Sequence, residues 1–335
     1  MRICAAPRSA TRPDRGAHHA RVTHPEDPHD PDGLLRVALW RIPELAGRSL
    51  TLTPLSGGLT NRNFLVEAPG SPARHVLRLA GNDTHLLGIS RELEHAATVA
   101  AAGVGVGPEV TAFLRPEGYL VTRFILGGPV APESMHQPAT LTRVADSLRR
   151  VHGGPPVPGL FMPLRVAEMY GALARARGVA LPDAYARADA VGRRIERACL
   201  THPGVLVPCH NDLLNANLID DGARVRIVDW EYAGMGDPWF DLGNLSINHG
   251  LTPDEDAVLV AAWLGRAASR AAVARVTLMR VVSDFREAMW GVLQEAVSEL
   301  EVDFRAYAAE HFERLLSNAA QPAFETALRA VADGG

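Results

Sequence analysis

Asp212 is followed five residues later by Asn217, and Asp229 comes twelve residues after that, closing the strand-like run Val225-Arg226-Ile227-Val228. Phosphoryl transfer from a nucleotide calls for such a set: a carboxylate to orient an acceptor hydroxyl, and oxygen ligands to hold Mg²⁺ against the phosphates. Asp212 is the expected base, which has to come within about 3 Å of the reacting oxygen. Asn217 can offer the metal a neutral carbonyl oxygen without adding repulsion between carboxylates, and Asp229 a hard oxygen ligand that bridges to the β- and γ-phosphates. Glu231, two residues further on, is expected at a second metal position or its water shell. His210 joins the catalytic set as a brace for the loop rather than as an acid or base, because Asp212 is the better-placed group.

A second group of residues is suited to a nucleotide. The turn Ser56-Gly57-Gly58-Leu59-Thr60-Asn61 can approach phosphates closely, with Gly57 and Gly58 giving backbone freedom and Thr60 and Asn61 giving short polar groups. The chain contains no lysine, and its 34 cationic residues are all arginine. Arg78 is therefore the candidate cation for the α- and β-phosphates, with Glu94 as the ion-pair partner that fixes it and Glu92 as the alternative. The backbone around Thr122 and Phe124 is expected to supply hydrogen bonds to adenine.

These groups need elements to carry them. Alternation and turn residues predict strands over 50–55, 64–67, 75–79 and 119–125, and helices over 32–45 and 90–102. This describes a small β-rich lobe. Beyond it, helical spacing predicts helices over 139–152 and 183–200, then a short strand over 205–207 leading to His210. Asp220-Asp221-Gly222 reads as the turn of a hairpin joining 218–219 to 225–228. From Asp241 onward the pattern is mainly helical. The expected organisation is a tail over 1–32, a nucleotide-binding lobe over 33–127 and a catalytic, acceptor-binding lobe over 128–335, hinged near 122–128.

Composition narrows the class. A chain of 335 residues is long enough for two cores, and 47% hydrophobic with 21% charged residues is ordinary for a globular protein. No apolar run approaches the roughly eighteen residues needed to cross a bilayer, so no membrane role is expected. The first 32 residues lack the apolar segment of a signal peptide, and the adjacent His18 and His19 read as tail residues. Cys4, Cys199 and Cys209 show no metal-ligand spacing and suit a reducing cytoplasm, with Cys209 a small buried residue beside the catalytic loop. A net charge of −4 gives no footprint for nucleic acid. Oligomeric state is left open by these features.

The stretches SGGLTNRNFLVE, VLRLAG, RELE, TRFILGG, CHNDLLNANLI and IVDWEYAGMGDPWFDLGNLS resemble the choline/ethanolamine kinase family, within the wider aminoglycoside phosphotransferase-like group, over roughly residues 35–320. The resemblance implies an α+β, bilobal protein-kinase-like fold that uses ATP and Mg²⁺. It implies Asp212 as catalytic base, Asn217 and Asp229 as magnesium ligands, Glu231 as a further acidic group, and Arg78 in the place where many protein kinases carry lysine. It also implies a small, hydroxyl-bearing and cationic acceptor.

A quaternary ammonium donates no ordinary hydrogen bond, so it needs aromatic faces and a nearby carboxylate. The candidates are Tyr232, Trp239, Phe285 and Trp290, with Phe304 and Tyr307 beyond them, and Asp241, Asp284 or Glu287 as charge partners. Asp241 has the alternative of bracing the catalytic loop. From Asp241 onward there are 14 acidic residues against 8 arginines, which suits an amino alcohol or an aminoglycoside equally. The competing readings are an aminoglycoside, thiamine or sugar kinase of the same fold, and a non-catalytic ATP-binding regulator.

Overall fold

The computed structural model describes residues 31–55, 61–80, 84–298 and 300–334. Residues 1–30, with His18 and His19, and the turn residues Gly57, Gly58 and Thr60 lie outside the described residues. Contacts divide the chain into two compact units. The first takes the described residues as far as Ala80 together with Val110–Phe124, and the second runs from Thr84 to Glu109 and from Ile125 onward.

In the first unit a helix, α1 (Pro31–Leu39), precedes β1 (Thr51–Leu55), β2 (Asn61–Glu67), β3 (Arg74–Ala80), β4 (Val110–Leu114) and β5 (Tyr119–Arg123). The strands form one antiparallel sheet in the order β1-β2-β3-β5-β4. Leu77 and Val66 bury on its inner face with Leu39 and Ile42 from the helix and its following turn. The helix stops earlier than the apolar pattern over 32–45 suggests, because Pro43 has no N–H for a helix and excludes the helical conformation before it. β4 follows a Gly- and Pro-containing stretch that reads as loop, and its register shifts between Val110 and Ala112.

The second unit is mainly helical. Its elements are α2 (Arg91–Gly103), β6 (Gly128–Pro129), α3 (Pro132–Met135), α4 (Pro138–His152), α5 (Pro163–Ala176), α6 (Ala184–Leu200), β7 (Val207–Cys209), β8 (Leu218–Asp220), β9 (Val225–Ile227), β10 (Gly234–Gly236), α7 (Pro238–His249), α8 (Pro253–Leu264), α9 (Arg270–Val297), α10 (Phe304–Ala319) and α11 (Pro322–Asp333). α2 lies within the sequence-expected first lobe, 33–127, yet its contacts are with this unit: Ala97 and Ala101 bury with Val151, Leu213 and Trp230. The strand expected over 205–207 sits two residues later, where β7 pairs with β10 (Cys209 opposite Gly234). The chain thus has a β-rich lobe and a larger helical lobe.

Helix α9 is buried on every side from Val281 to Gln294, and packs against α5, α6, α7, α10 and α11. A helix apolar all round belongs in a core. Asp284, Arg286 and Glu287 break that rule, being buried and charged. α7 meets α9 at Gly243, where an added Cβ would lie 2.5 Å from Met279 Cβ and 2.7 Å from its carbonyl carbon. The two backbones approach there as closely as a glycine allows.

Candidate active site

The hairpin of β8 and β9 brings the expected metal ligands together. Leu218 pairs with Ile227, and one step beyond the ladder the Val228 N–H donates to the Asn217 carbonyl at 3.0 Å. Asn217 and Asp229 therefore sit at neighbouring ends of two strands. Asp229 and Asn211 are the described non-glycine residues with positive φ, each at 70°. Asn and Asp tolerate the left-handed region better than other side chains, and such strain tends to gather at functional sites.

Between β7 and this hairpin the loop 210–213 has its backbone groups held by distant side chains. Asp241 Oδ2 accepts the His210 N–H at 2.9 Å and Asp241 Oδ1 accepts the Asn211 N–H at 2.7 Å. Asn244 Oδ1 accepts the Leu213 N–H at 2.6 Å, and Asn244 Nδ2 donates to Ser283 Oγ at 3.0 Å. Asn211 Nδ2 donates to the Tyr232 carbonyl at 3.0 Å. His210 is a brace: Nε2 lies 2.9 Å from the Val228 carbonyl, which can only accept, so Nε2 carries the proton and Nδ1 accepts the Asp212 N–H at 3.2 Å. The ring lies edge-on to Trp230.

Asp241 was a candidate acceptor partner. Both of its oxygens are instead taken by the loop and by His152 Nε2 at 3.0 Å, with no exposure. His152, Cys209 and Asp241 do bring possible metal-ligand atoms within 4.8 Å of one another. Each is already committed: His152 Nδ1 accepts the Trp263 indole N–H at 3.0 Å, and burial pushes the Cys209 thiol well up, so that it stays protonated. The group is a hydrogen-bonded brace.

The Asp212 side chain keeps 14% exposure, with Oδ1 3.2 Å from Arg286 Nη2. Burial pushes its carboxyl up to about 7, opposed by the Arg286 charge and reinforced by Glu287, Asp229 and Glu231. Asn217 Nδ2 donates to the Asp212 carbonyl at 2.8 Å, which fixes the amide and turns Oδ1 into its available donor. A neutral oxygen beside Asp229 and Glu231 is a donor set that fits Mg²⁺. Glu231 is 4% exposed in its side chain and 3.4 Å from Arg91 Nη1. Arg91 also contacts Glu94 at 2.6 Å and Thr84 at 3.0 Å.

The nucleotide candidates divide between the units. Asn61 opens β2 instead of lying in the turn, and Arg78 stands on β3 opposite Asn63 and Leu120. Glu94 belongs to α2 in the other unit, where Arg91 engages it. Thr122 is buried within the sheet. The Phe124 N–H, an expected adenine donor, already donates to the Arg74 carbonyl at 2.9 Å, and the Arg74 guanidinium covers its ring at 4.8 Å.

Of the acceptor candidates, Tyr232 and Trp290 lie together. Trp290 Nε1 donates to the Tyr232 hydroxyl at 3.1 Å, and the Arg286 guanidinium lies 5.0 Å from the Tyr232 ring centre. Phe304 and Tyr307 stand edge-on to Trp290, and the Tyr307 hydroxyl donates to Glu287 Oε2 at 2.8 Å. Phe285 is not part of this group: it is 2% exposed and packs on Tyr185 and Phe312 in the helical core. Trp239 faces Trp263 and Arg275. Asp284 is taken up by His311 and Arg314.

Arg286, Asn244 and Arg91 were not foreseen. For Arg286 a signal exists: Asp284-Phe285-Arg286-Glu287 puts three charges where helical spacing demands core.

Similarity to known proteins runs through most of the chain. The profile of the phosphotransferase enzyme family matches residues 51–276. The crystal structure of a choline/ethanolamine kinase family protein from Mesorhizobium loti is 34% identical with a TM-score of 0.78, covering 90% of this chain and 99% of that one. Protein LicA of Haemophilus influenzae is 29% identical over 194 residues, and this chain spans 56% of its length. Human ethanolamine kinase 2 is 25% identical over 318 residues, 84% of this chain and 81% of that one.

Proposed function

Because the chain belongs to the phosphotransferase enzyme family, and within it to the choline/ethanolamine kinases, we infer that it is a small-molecule kinase that moves the γ-phosphoryl group of ATP to an alcohol. The observation that carries this reading is Asp212, its backbone braced by His210 and Asn217 and its carboxylate by Arg286, beside the ends of β8 and β9 that bear Asn217 and Asp229. Asp212 orients the acceptor hydroxyl and takes its proton as the bond to phosphorus forms. A carboxyl with a pKa near neutrality is matched to that transfer.

Asn217 and Asp229, with Glu231 beside Asp229 in the chain, would hold Mg²⁺, which would supply positive charge against the phosphates. On the nucleotide side the proposed contacts are Gly57, Gly58, Thr60, Asn61 and Arg78. The acceptor is an amino alcohol of the choline or ethanolamine type: Tyr232, Trp290 and Tyr307 give aromatic faces to a small cation, and Glu287, whose charge is shared with Arg286, is the carboxylate among them. Unbridged Cys199 and Cys209 accord with a reducing cytoplasm, and among the described residues no helix is long and apolar enough to cross a membrane.

The test is a phosphotransfer screen with choline, ethanolamine, thiamine, sugars and aminoglycosides, reading ADP release and the phosphorylated product together. The expected result is a phosphorylated amino alcohol. Product from an aminoglycoside or sugar alone would move the acceptor class, and no product from any acceptor would overturn the kinase reading.

A further inference from the structure

Arg286 is buried at 2% exposure on α9. A guanidinium loses its hydration at such a place, so its position needs an explanation in the donors it uses. Nη2 donates to the Asn211 carbonyl at 2.7 Å and to Asp212 Oδ1 at 3.2 Å. Nη1 lies 2.7 Å from Glu287 Oε1, while Glu287 Oε2 accepts the Tyr307 hydroxyl. The loop does not need this residue for its N–H groups, which Asp241, His210 and Asn244 already satisfy. What Arg286 adds is a hold on one oxygen of the carboxylate, and on the carbonyl of the left-handed residue before it.

We propose that Arg286 is a positioning residue for phosphoryl transfer. One nitrogen, Nη2, fixes both Asp212 Oδ1 and the Asn211 carbonyl while Nη1 faces Glu287, so that Asp212 Oδ2 is the oxygen presented to the acceptor hydroxyl. The same guanidinium, through Glu287 and Tyr307, ties that carboxylate to the aromatic group around Trp290. The distance between the acceptor's cation and its hydroxyl is thereby gauged by a single side chain. This rests on the kinase reading with Asp212 as base. The geometry needs an always-charged donor with two nitrogens in one plane; a lysine ammonium could serve the two oxygens on Nη2 but not Glu287 as well.

The experiment compares the full chain with Arg286→Met and Arg286→Lys, using ATP, Mg²⁺ and either choline or ethanolamine. Rates are expressed per nucleotide-binding site, counted by titration with a non-hydrolysable ATP analogue, so that unfolded protein does not count as slow enzyme. For Arg286→Met, kcat should fall on the order of 10²-fold, the scale expected for a reacting group misplaced by about 1 Å. The KM for ATP should stay within about threefold of the parent, because nucleotide binding is not what Arg286 serves. Arg286→Lys should recover about tenfold of the loss.

A parent-like kcat in Arg286→Met, or a KM for ATP that rises in step with the loss of kcat, would overturn the proposal. If Arg286→Met yields no folded protein, Arg286→Lys decides: a clear drop in kcat at unchanged KM for ATP supports it, and parent-like kcat overturns it. A parent that phosphorylates no acceptor in the wider screen removes the kinase reading, and this proposal with it. Normal turnover in parent and variants alike removes the role of Arg286 alone.

Discussion

Two irregular segments adjoin the short strands of the helical lobe, and they are held in opposite ways. The turn between β8 and β9 satisfies its own N–H groups, with Arg143 of α4 adding an ion pair to Asp220: Asp220 Oδ1 accepts the Gly222 N–H at 2.9 Å, and Asp221 Oδ1 accepts those of Ala223 and Arg224 at 2.9 and 2.7 Å. The loop 210–213 takes its partners from α7 and α9, through Asp241, Asn244 and Arg286. A turn of the first kind needs only its own few residues. The second kind exists only once the helices have packed, which lets the fold aim a carboxylate with a precision that local sequence cannot supply.

Removing Asp241 tests that contrast most severely. Asp241→Ala leaves two loop N–H groups and His152 without their acceptor, and the loss of one member of a buried pair typically destabilises by about 3–5 kcal/mol. Urea unfolding should show a loss on that scale, and transfer should drop below detection. A change no larger than that of a turn mutant would erase the distinction between the segments. Asp212→Asn comes next: the loop N–H groups stay held, so nucleotide binding should match the parent while transfer falls on the order of 10²-fold or more. Near-normal transfer would take Asp212 out of its role.

Acid offers a graded version of the first test. Burial alone would raise Asp241, but the hydrogen bond from His152 and the adjoining histidine and backbone groups outweigh it and hold the carboxyl below the usual range. A depressed pKa contributes stability that is fully present above the unfolded value of about 3.9 and is lost as pH falls through the folded one. The stability gap between parent and Asp241→Ala should therefore narrow as pH drops below about 4. A gap that is constant, or that widens in acid, contradicts the assignment. The smallest effect belongs to the turn: Asp221→Ala should cost about 1 kcal/mol with unchanged kcat. A marked loss of transfer there would show that the turn, too, aims the site.

The same contrast explains what the sequence discloses. The hairpin around Asp220-Asp221-Gly222 is legible because its turn chemistry and its paired apolar strands are all local. The spacing of Asp212, Asn217 and Asp229 is legible because one loop and one hairpin fix it. The bracing by Asp241 was open as an alternative, since an acid at a helix start can face either a ligand or a loop, and only packing decides. Arg286 lies 74 residues from Asp212, and no local pattern joins them. Phe285 looked like a cage residue because aromatic content says nothing of which helix face it occupies. β4 carries little local signal because its irregular register follows a Gly- and Pro-containing approach, and α1 is shorter than its apolar periodicity, which continues past the proline that stops it.

Gly243 lies between Asp241 and Asn244 in the chain, at the crossing where α7 meets α9 backbone to backbone. The alignment of the carboxylate is thus a machine fit, set by the clearance between two shafts rather than by any group with chemistry of its own. Whatever changes that clearance, a bulkier side chain at the crossing or a repacked neighbour one layer away, shifts both halves of the clamp relative to each other while leaving every acid, amide and guanidinium in place. Such a protein would fold and keep its full set of groups, and still run out of true.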